Sequence, residues 1–142
     1  MAALLLPSAP PAQVAACLKD PAAERRRLAC APLGQTQTST VPRGRIDPNA
    51  IYKVIAATVD ELLACVEKEQ SKSPPDTLRV VVDFEIDRDG SVRWACLNGA
   101  PAGETCLASC ILELTKKMRF AKPEGGPVRI SYPYLLDLAK QD

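Results

Sequence analysis

Histidine is absent from all 142 residues, which removes the commonest general base and the commonest nitrogen ligand for a metal. No Ser/Lys pair, nucleophile elbow or phosphate loop takes its place, and Gly125-Gly126 beside Pro127 reads as a turn. An enzyme is therefore not expected, nor a cofactor. Aromatic residues are scarce: Tyr52, Phe84, Trp94, Phe120, Tyr132 and Tyr134 all lie after residue 51, while seven of thirteen prolines stand at or before Pro48. The first third of the chain cannot supply a core. No run approaches the ~20 apolar residues that a membrane-spanning helix needs.

What is present divides near residue 46. Residues 1–46 carry six basic and two acidic side chains, net +4, and residues 47–142 carry twelve and fifteen, net −3. The overall charge of +1 thus hides a basic arm. Arg25, Arg26 and Arg27 form one short cluster without interleaved aromatics, so nucleic acid is not the expected partner. Residues 1–46 read as a disordered, leader or linker segment, and 47–142 as one domain. The start, MAALLLPSAPPAQVAAC, lacks a basic n-region and is broken by Pro7, Pro10 and Pro11. Its end, Val14-Ala15-Ala16-Cys17, looks like the end of a bacterial lipoprotein signal, which makes Cys17 a lipidation candidate. A short helix is expected around Ala22–Ala31, followed by the linker composition LGQTQTSTVPRGR.

The domain is organised around Leu78–Leu97. Leu78, Val80, Val82, Phe84 and Ile86 alternate with Arg79, Asp83, Glu85 and Asp87, the pattern of a half-buried strand. Asp87-Arg88-Asp89-Gly90 supplies a turn, and Val92 and Trp94 are expected to resume the same apolar face. Calcium at Asp87 and Asp89 would need loop ligands that are missing. Before this hairpin, Asp47-Pro48 starts a helix over roughly 48–72, with Ile51, Ile55, Leu62 and Val66 on its stripe and Pro74-Pro75 beyond its end. After it, a second helix is expected over 103–119 with Leu107, Cys110, Ile111, Leu114 and Met118 buried. Val128, Ile130, Tyr132 and Tyr134 mark a third strand, and Pro133 puts it at a sheet edge. The expected fold is α+β, in the order α-β-β-α-β. Two helices would cover one face of a three-stranded antiparallel sheet of order 2-1-3, with Asp83 and Glu85 facing Arg93 and Arg129 on the other.

These features resemble the C-terminal domain of TonB-like energy transducers, most closely the AgmX/PglI C-terminal branch of gliding-motility proteins. The resemblance rests on Ala64-Cys65-Val66-Glu67, on VVVDFEIDRDGSV, on the helix around Cys110, and on MRFAKPEGGPVRISYPYLL, and it covers residues 47–136. Within the last stretch the most specific elements are Arg119-Phe120, Pro123, Gly125-Gly126 and Tyr132-Pro133-Tyr134. The chain departs from full transducers in lacking an N-terminal membrane helix and long spacer, and Cys96 and Cys106 are extra to the pattern.

The resemblance implies that Cys65 and Cys110 face each other and form a disulfide. Cys96 and Cys106 bracket a nine-residue loop and could close a second, while Cys17 either pairs with Cys30 or is lipidated and leaves Cys30 free. Six cysteines fit an oxidised compartment, buried free thiols being the alternative. A zinc site from residues 65, 96, 106 and 110 lacks a Cys-x-x-Cys hairpin, so no metal is expected. In the resembled family the third-strand edge receives an extended segment of an outer-membrane partner. That implies Arg129, Ser131, Tyr132, Tyr134 and Leu135 as partner-binding residues here, against the alternative that the two tyrosines are core and Pro133 guards the edge. The expected protein is a periplasmic or cell-envelope binding module with a link to gliding or energy transduction. The other reading is a structural envelope lipoprotein without motor coupling.

Overall fold

The computed structural model describes residues 17, 19–30, 44–98 and 103–138. The leader before Cys17, linker residues 33–43 and most of the 98–103 loop lie outside the described residues. Helix α1, Pro21–Leu28, begins at Asp20, whose carboxylate accepts from the Ala23 N–H at 3.1 Å. Helix α2, Pro48–Ala57, begins the same way, with Asp47 accepting from the Asn49 N–H at 2.9 Å. In both, proline occupies the first helical position, where its missing donor costs nothing.

The single helix expected over 48–72 is two. Helix α3, Val59–Glu69, follows α2 after an interruption at Thr58. The Thr58 hydroxyl and N–H both donate to the Ile55 carbonyl, at 2.8 and 3.1 Å. That local bond replaces part of the regular ladder and tightens the turn. The apolar stripe survives the break, with Ile51, Ile55, Leu62, Cys65 and Val66 buried.

Strands β1, Thr77–Ile86, β2, Val92–Leu97, and β3, Val128–Asp137, form an antiparallel sheet in the order β2-β1-β3. The α+β class and this order are those expected. Between β2 and β3 lies α4, Thr105–Lys116. Leu78, Val80, Val82, Phe84 and Ile86 of β1 are at most 4% exposed. They share one cluster with Ile51, Ile55, Leu62 and Val66, and with Leu107, Ala108, Ile111 and Leu112 of α4. Each side chain of that size contributes about 1.5–3 kcal/mol on burial, so the alternation along β1 decides how the helices are held.

The hairpin turn is locked by its own polar groups. The Gly90 N–H donates to the Asp87 carbonyl at 2.9 Å, and Asp89 Oδ1 accepts from the Ser91 N–H at 2.9 Å and from its hydroxyl at 2.6 Å. Those bonds hold the Asp89 carboxyl below its usual range. Gly90 sits at φ +90°, and a Cβ there would lie 2.2 Å from the Phe120 carbonyl oxygen.

Trp94 does not share a face with Val92. Glu85 pairs with Trp94 and Ile86 with Val92, leaving Arg93 as the extra residue of a β-bulge. The bulge turns Trp94 onto the polar face, where the Arg129 guanidinium lies 5.7 Å from its ring centroid. Glu85, 6% exposed, accepts from Arg93 at 3.3 Å and from Arg129 at 3.4 Å. Asp83 takes a different partner from that expected, accepting from Asn98 Nδ2 at 3.1 Å.

Three disulfides cross the fold: Cys17–Cys106, Cys30–Cys96 and Cys65–Cys110. The last joins α3 to α4 as the resemblance implies. The Cys96–Cys106 bond is not formed, because Cys96 pairs in register with Asp83 on the polar face while α4 feeds the cluster on the opposite face. Cys17 pairs with neither Cys30 nor a lipid in this structure: its Sγ is bonded to Cys106, which leaves no thiol for a thioether. Residues 17 and 19–30 are accordingly fastened to the domain rather than standing apart as leader or linker, and Leu28 enters the core. Gly44 and Arg45 are docked as well, through Gly44 N–H to Pro127 O at 2.8 Å and Arg45 N–H to Glu124 O at 2.7 Å. Three such bonds place folding in an oxidising, extracytoplasmic environment.

Gly90→Ala should lower stability by about 2 kcal/mol or more, from the strained φ and the clash with Phe120. A fall in the urea midpoint without change in slope is the readout. The double variant Cys65→Ala/Cys110→Ala should lose up to about 4 kcal/mol by the same measurement, the loop-entropy figure for a 45-residue separation.

Candidate partner-binding edge and groove

The two edges of the sheet differ. Along β2, Ala29 forms a parallel bridge to Leu97 and the Cys30 N–H donates to the Leu97 carbonyl at 2.9 Å, so the chain covers its own edge. Along β3, no described strand lies beyond it.

Which backbone groups β3 presents follows from register. The Val81 carbonyl accepts from the Asn98 N–H at 2.8 Å, so Val81 points its backbone groups toward β2. Val81 is paired with Pro133, which therefore turns its nitrogen and carbonyl to the outer side. Ser131 and Leu135, two residues either way, do the same. The outer side thus offers donors at Ser131 and Leu135 and acceptors at Ser131, Pro133 and Leu135, with one donor missing in the middle. Proline is tolerated here because no β1 carbonyl needs its N–H.

Beside this edge a groove of about 420 Å³ opens between α3 and β3. Ile55, Val59, Leu62 and Leu63 line one side, and Tyr132, Tyr134 and Leu135 the other. Of the four large hydrophobics exposed among the described residues, Val59, Leu63 and Leu135 line it. The fourth is Tyr52; burial raises the pKa of the nearby Tyr132. Leu135 is 72% exposed and pairs with Arg79, so its side chain leaves the sheet on the polar face and it borders the groove at the strand edge.

The five expected partner-binding residues separate into four placements. Leu135 and Tyr132 line the groove, and Ser131 faces outward on the open edge. Arg129 lies on the polar face with Glu85 and Trp94. Tyr134 is 3% exposed and belongs to the core. Its hydroxyl lies 2.9 Å from Thr115 Oγ1, which itself donates to the Ile111 carbonyl at 2.9 Å, so Tyr134 is the donor of the pair. The rings of Tyr132 and Tyr134 meet edge to face at 5.0 Å. The helical side of the groove was not among the expected binding residues. Tyr52, Val59 and Leu63 fall at i, i+7 and i+11, a second apolar line beside the core stripe that could have flagged it.

Among the described residues no group of three or more metal-binding side chains converges, and no helix is long and apolar enough to cross a membrane. The four cysteines weighed as a zinc site are spent in three different disulfides.

Burial pushes the Tyr134 pKa up. The unfolded chain therefore ionises first, and this contribution is fully present below about pH 10 and lost as pH rises toward the higher folded value. Tyr134→Phe should cost about 0.5–1.5 kcal/mol at pH 7, by loss of the bond to Thr115. It should also make the alkaline loss shallower, so the gap between variant and parent narrows from pH 7 to pH 10.5 in urea titrations. No family model, curated protein or solved structure matches the chain.

Proposed function

We propose that this chain is a non-enzymatic protein-binding module of the cell envelope, of TonB-like type, which takes an extended partner segment at β3 by strand addition. The observation that carries the reading is the asymmetry of the sheet: one edge is covered by the chain itself, and beside the other, next to an apolar groove, no strand lies among the described residues. Main-chain groups of Ser131 and Leu135 would supply affinity, and the groove would select an apolar side chain of the partner. Pro133 interrupts the donor row, so pairing is short and centred on the Leu135 end next to Val59 and Leu63. The disulfides fit a periplasmic or envelope setting, in which a motility or outer-membrane protein would offer the segment.

The test is selection of displayed random peptides on the full chain with its disulfides intact. Enriched peptides should carry a large apolar residue and bind at micromolar strength. Leu63→Asp and Val59→Asp should each weaken binding by about tenfold or more, the scale of a contact residue in the centre of an interface. Arg93→Ala, on the opposite face, should leave it unchanged. Enrichment that ignores both groove variants, or no enrichment at all, would leave the domain a structural element of the envelope.

A further inference from the structure

Cys17–Cys106 and Cys30–Cys96 bracket α1, tying its N-terminal side to the first turn of α4 and its C-terminal side to β2. What lies between them has little grip of its own. Helix α1 has eight residues, fewer than a helix needs to persist alone in water. Its one large buried apolar side chain is Leu28. Its other buried residue, Glu24, is neutralised inside the same helix by Arg27, at 2.8 and 2.9 Å. The backbone hold on the sheet is the Ala29 bridge and the Cys30 N–H bond to Leu97.

We infer that residues 17 and 19–30 form a redox-released arm: an internal ligand of the β2 edge, kept there by two disulfides rather than by packing. Cys30–Cys96 is the bond with both cysteines partly exposed, whereas each of the other two pairs a partly exposed cysteine with a buried one, Cys17 at 1% and Cys65 at 5%. A dithiol reductant opens Cys30–Cys96 by exchange. One reductant thiolate attacks a sulfur of the bond, and its second thiol resolves the mixed disulfide. Two electrons and two protons thereby pass to Cys30 and Cys96, and the reductant leaves as its own disulfide. The product is favoured locally. Asp83 stands opposite Cys96 with Oδ2 3.8 Å from Cys30 Sγ, and its Oδ1 is buried with no hydrogen-bond partner among the described residues. A carboxylate in that position accepts from a thiol and disfavours the thiolate needed to close the bond again. Once the arm leaves, the Leu97 carbonyl and its neighbours on β2 are as open as those of β3. The inference does not depend on what β3 binds.

The test follows amide exchange and cysteine alkylation on the full chain. In the oxidised protein the amides of residues 23–30 should be protected. In Cys17→Ala/Cys30→Ala/Cys96→Ala/Cys106→Ala, which keeps Cys65–Cys110, they should exchange about 100-fold faster or more while β1 and α4 stay protected, the pattern of a local opening. In the unmodified protein under limiting dithiothreitol, Cys30 and Cys96 should be alkylated about tenfold faster than Cys65 and Cys110, as accessibility governs exchange. Persistent arm protection in the variant would overturn the proposal, since packing would then suffice. Loss of β1 and α4 protection together with the arm's, or reduction of all three bonds in one step, would overturn it equally, since the arm would be an inseparable part of the fold.

Discussion

The ladder between β1 and β3 joins ten residue pairs, from Thr77 with Asp137 to Ile86 with Val128. Its consequences reach every layer of the molecule. Because side chains alternate with period two, one register puts Val80, Val82 and Phe84 in the core cluster together with Tyr134, Tyr132 and Ile130. A slip of one residue would drive Asp83 and Glu85 into that cluster instead. The same register turns Pro133 outward, where its missing donor is harmless, and so determines which backbone groups the open edge displays. The bulge at Arg93 does the complementary work on the other side of β1. It brings Trp94 round to the polar face, where Arg129 lies over it and Glu85 accepts from both Arg93 and Arg129.

Against that frame the disulfides have unequal roles. Cys65–Cys110 joins two helices that already contribute to one core, so it reinforces contacts that packing makes anyway. Cys17–Cys106 and Cys30–Cys96 recruit a segment whose composition could never hold itself down. Large sequence separations of 89 and 66 residues make their entropic effect on the unfolded chain large as well, though crossing loops do not add independently. A short polar arm thereby becomes part of the domain and covers one sheet edge.

Much of this was legible in the residues. The period-two run in β1, the Asp47-Pro48 helix start and the proline in β3 each have a local physical cause, and local causes can be read from one chain. What escaped depended on distant partners. The break at Thr58 needs only a threonine hydroxyl able to reach back to Ile55, a choice that helical periodicity does not reveal. The face of Trp94 depended on one extra residue in the hairpin. Pairing of Cys17 and Cys30 was hidden because the basic, proline-rich composition around them suggested a free segment, while their partners lie 89 and 66 residues away. On the candidate site, Leu135 and Ser131 could be placed from the strand pattern alone. The removal of Tyr134 to the core required Thr115 on another element, and the helical wall at Val59 and Leu63 required knowing that α3 and β3 flank one groove.

An edge strand in an oxidising compartment must avoid pairing with every extended chain it meets, and yet a binding edge must pair with one. If β3 binds as proposed, Pro133 and the groove together would reconcile these demands. Proline in the middle of the outward row prevents a long uninterrupted ladder, so a random strand gains few hydrogen bonds there. Under the proposed strand addition, the exposed Val59 and Leu63 would then give discrimination to side-chain fit rather than to backbone pairing. In that proposal affinity would be capped by the short ladder, and specificity would be set by the apolar residue that reaches the groove. On the β2 side the opposite solution is used: the edge is closed outright by Ala29 and Cys30, and a covalent bond keeps it closed.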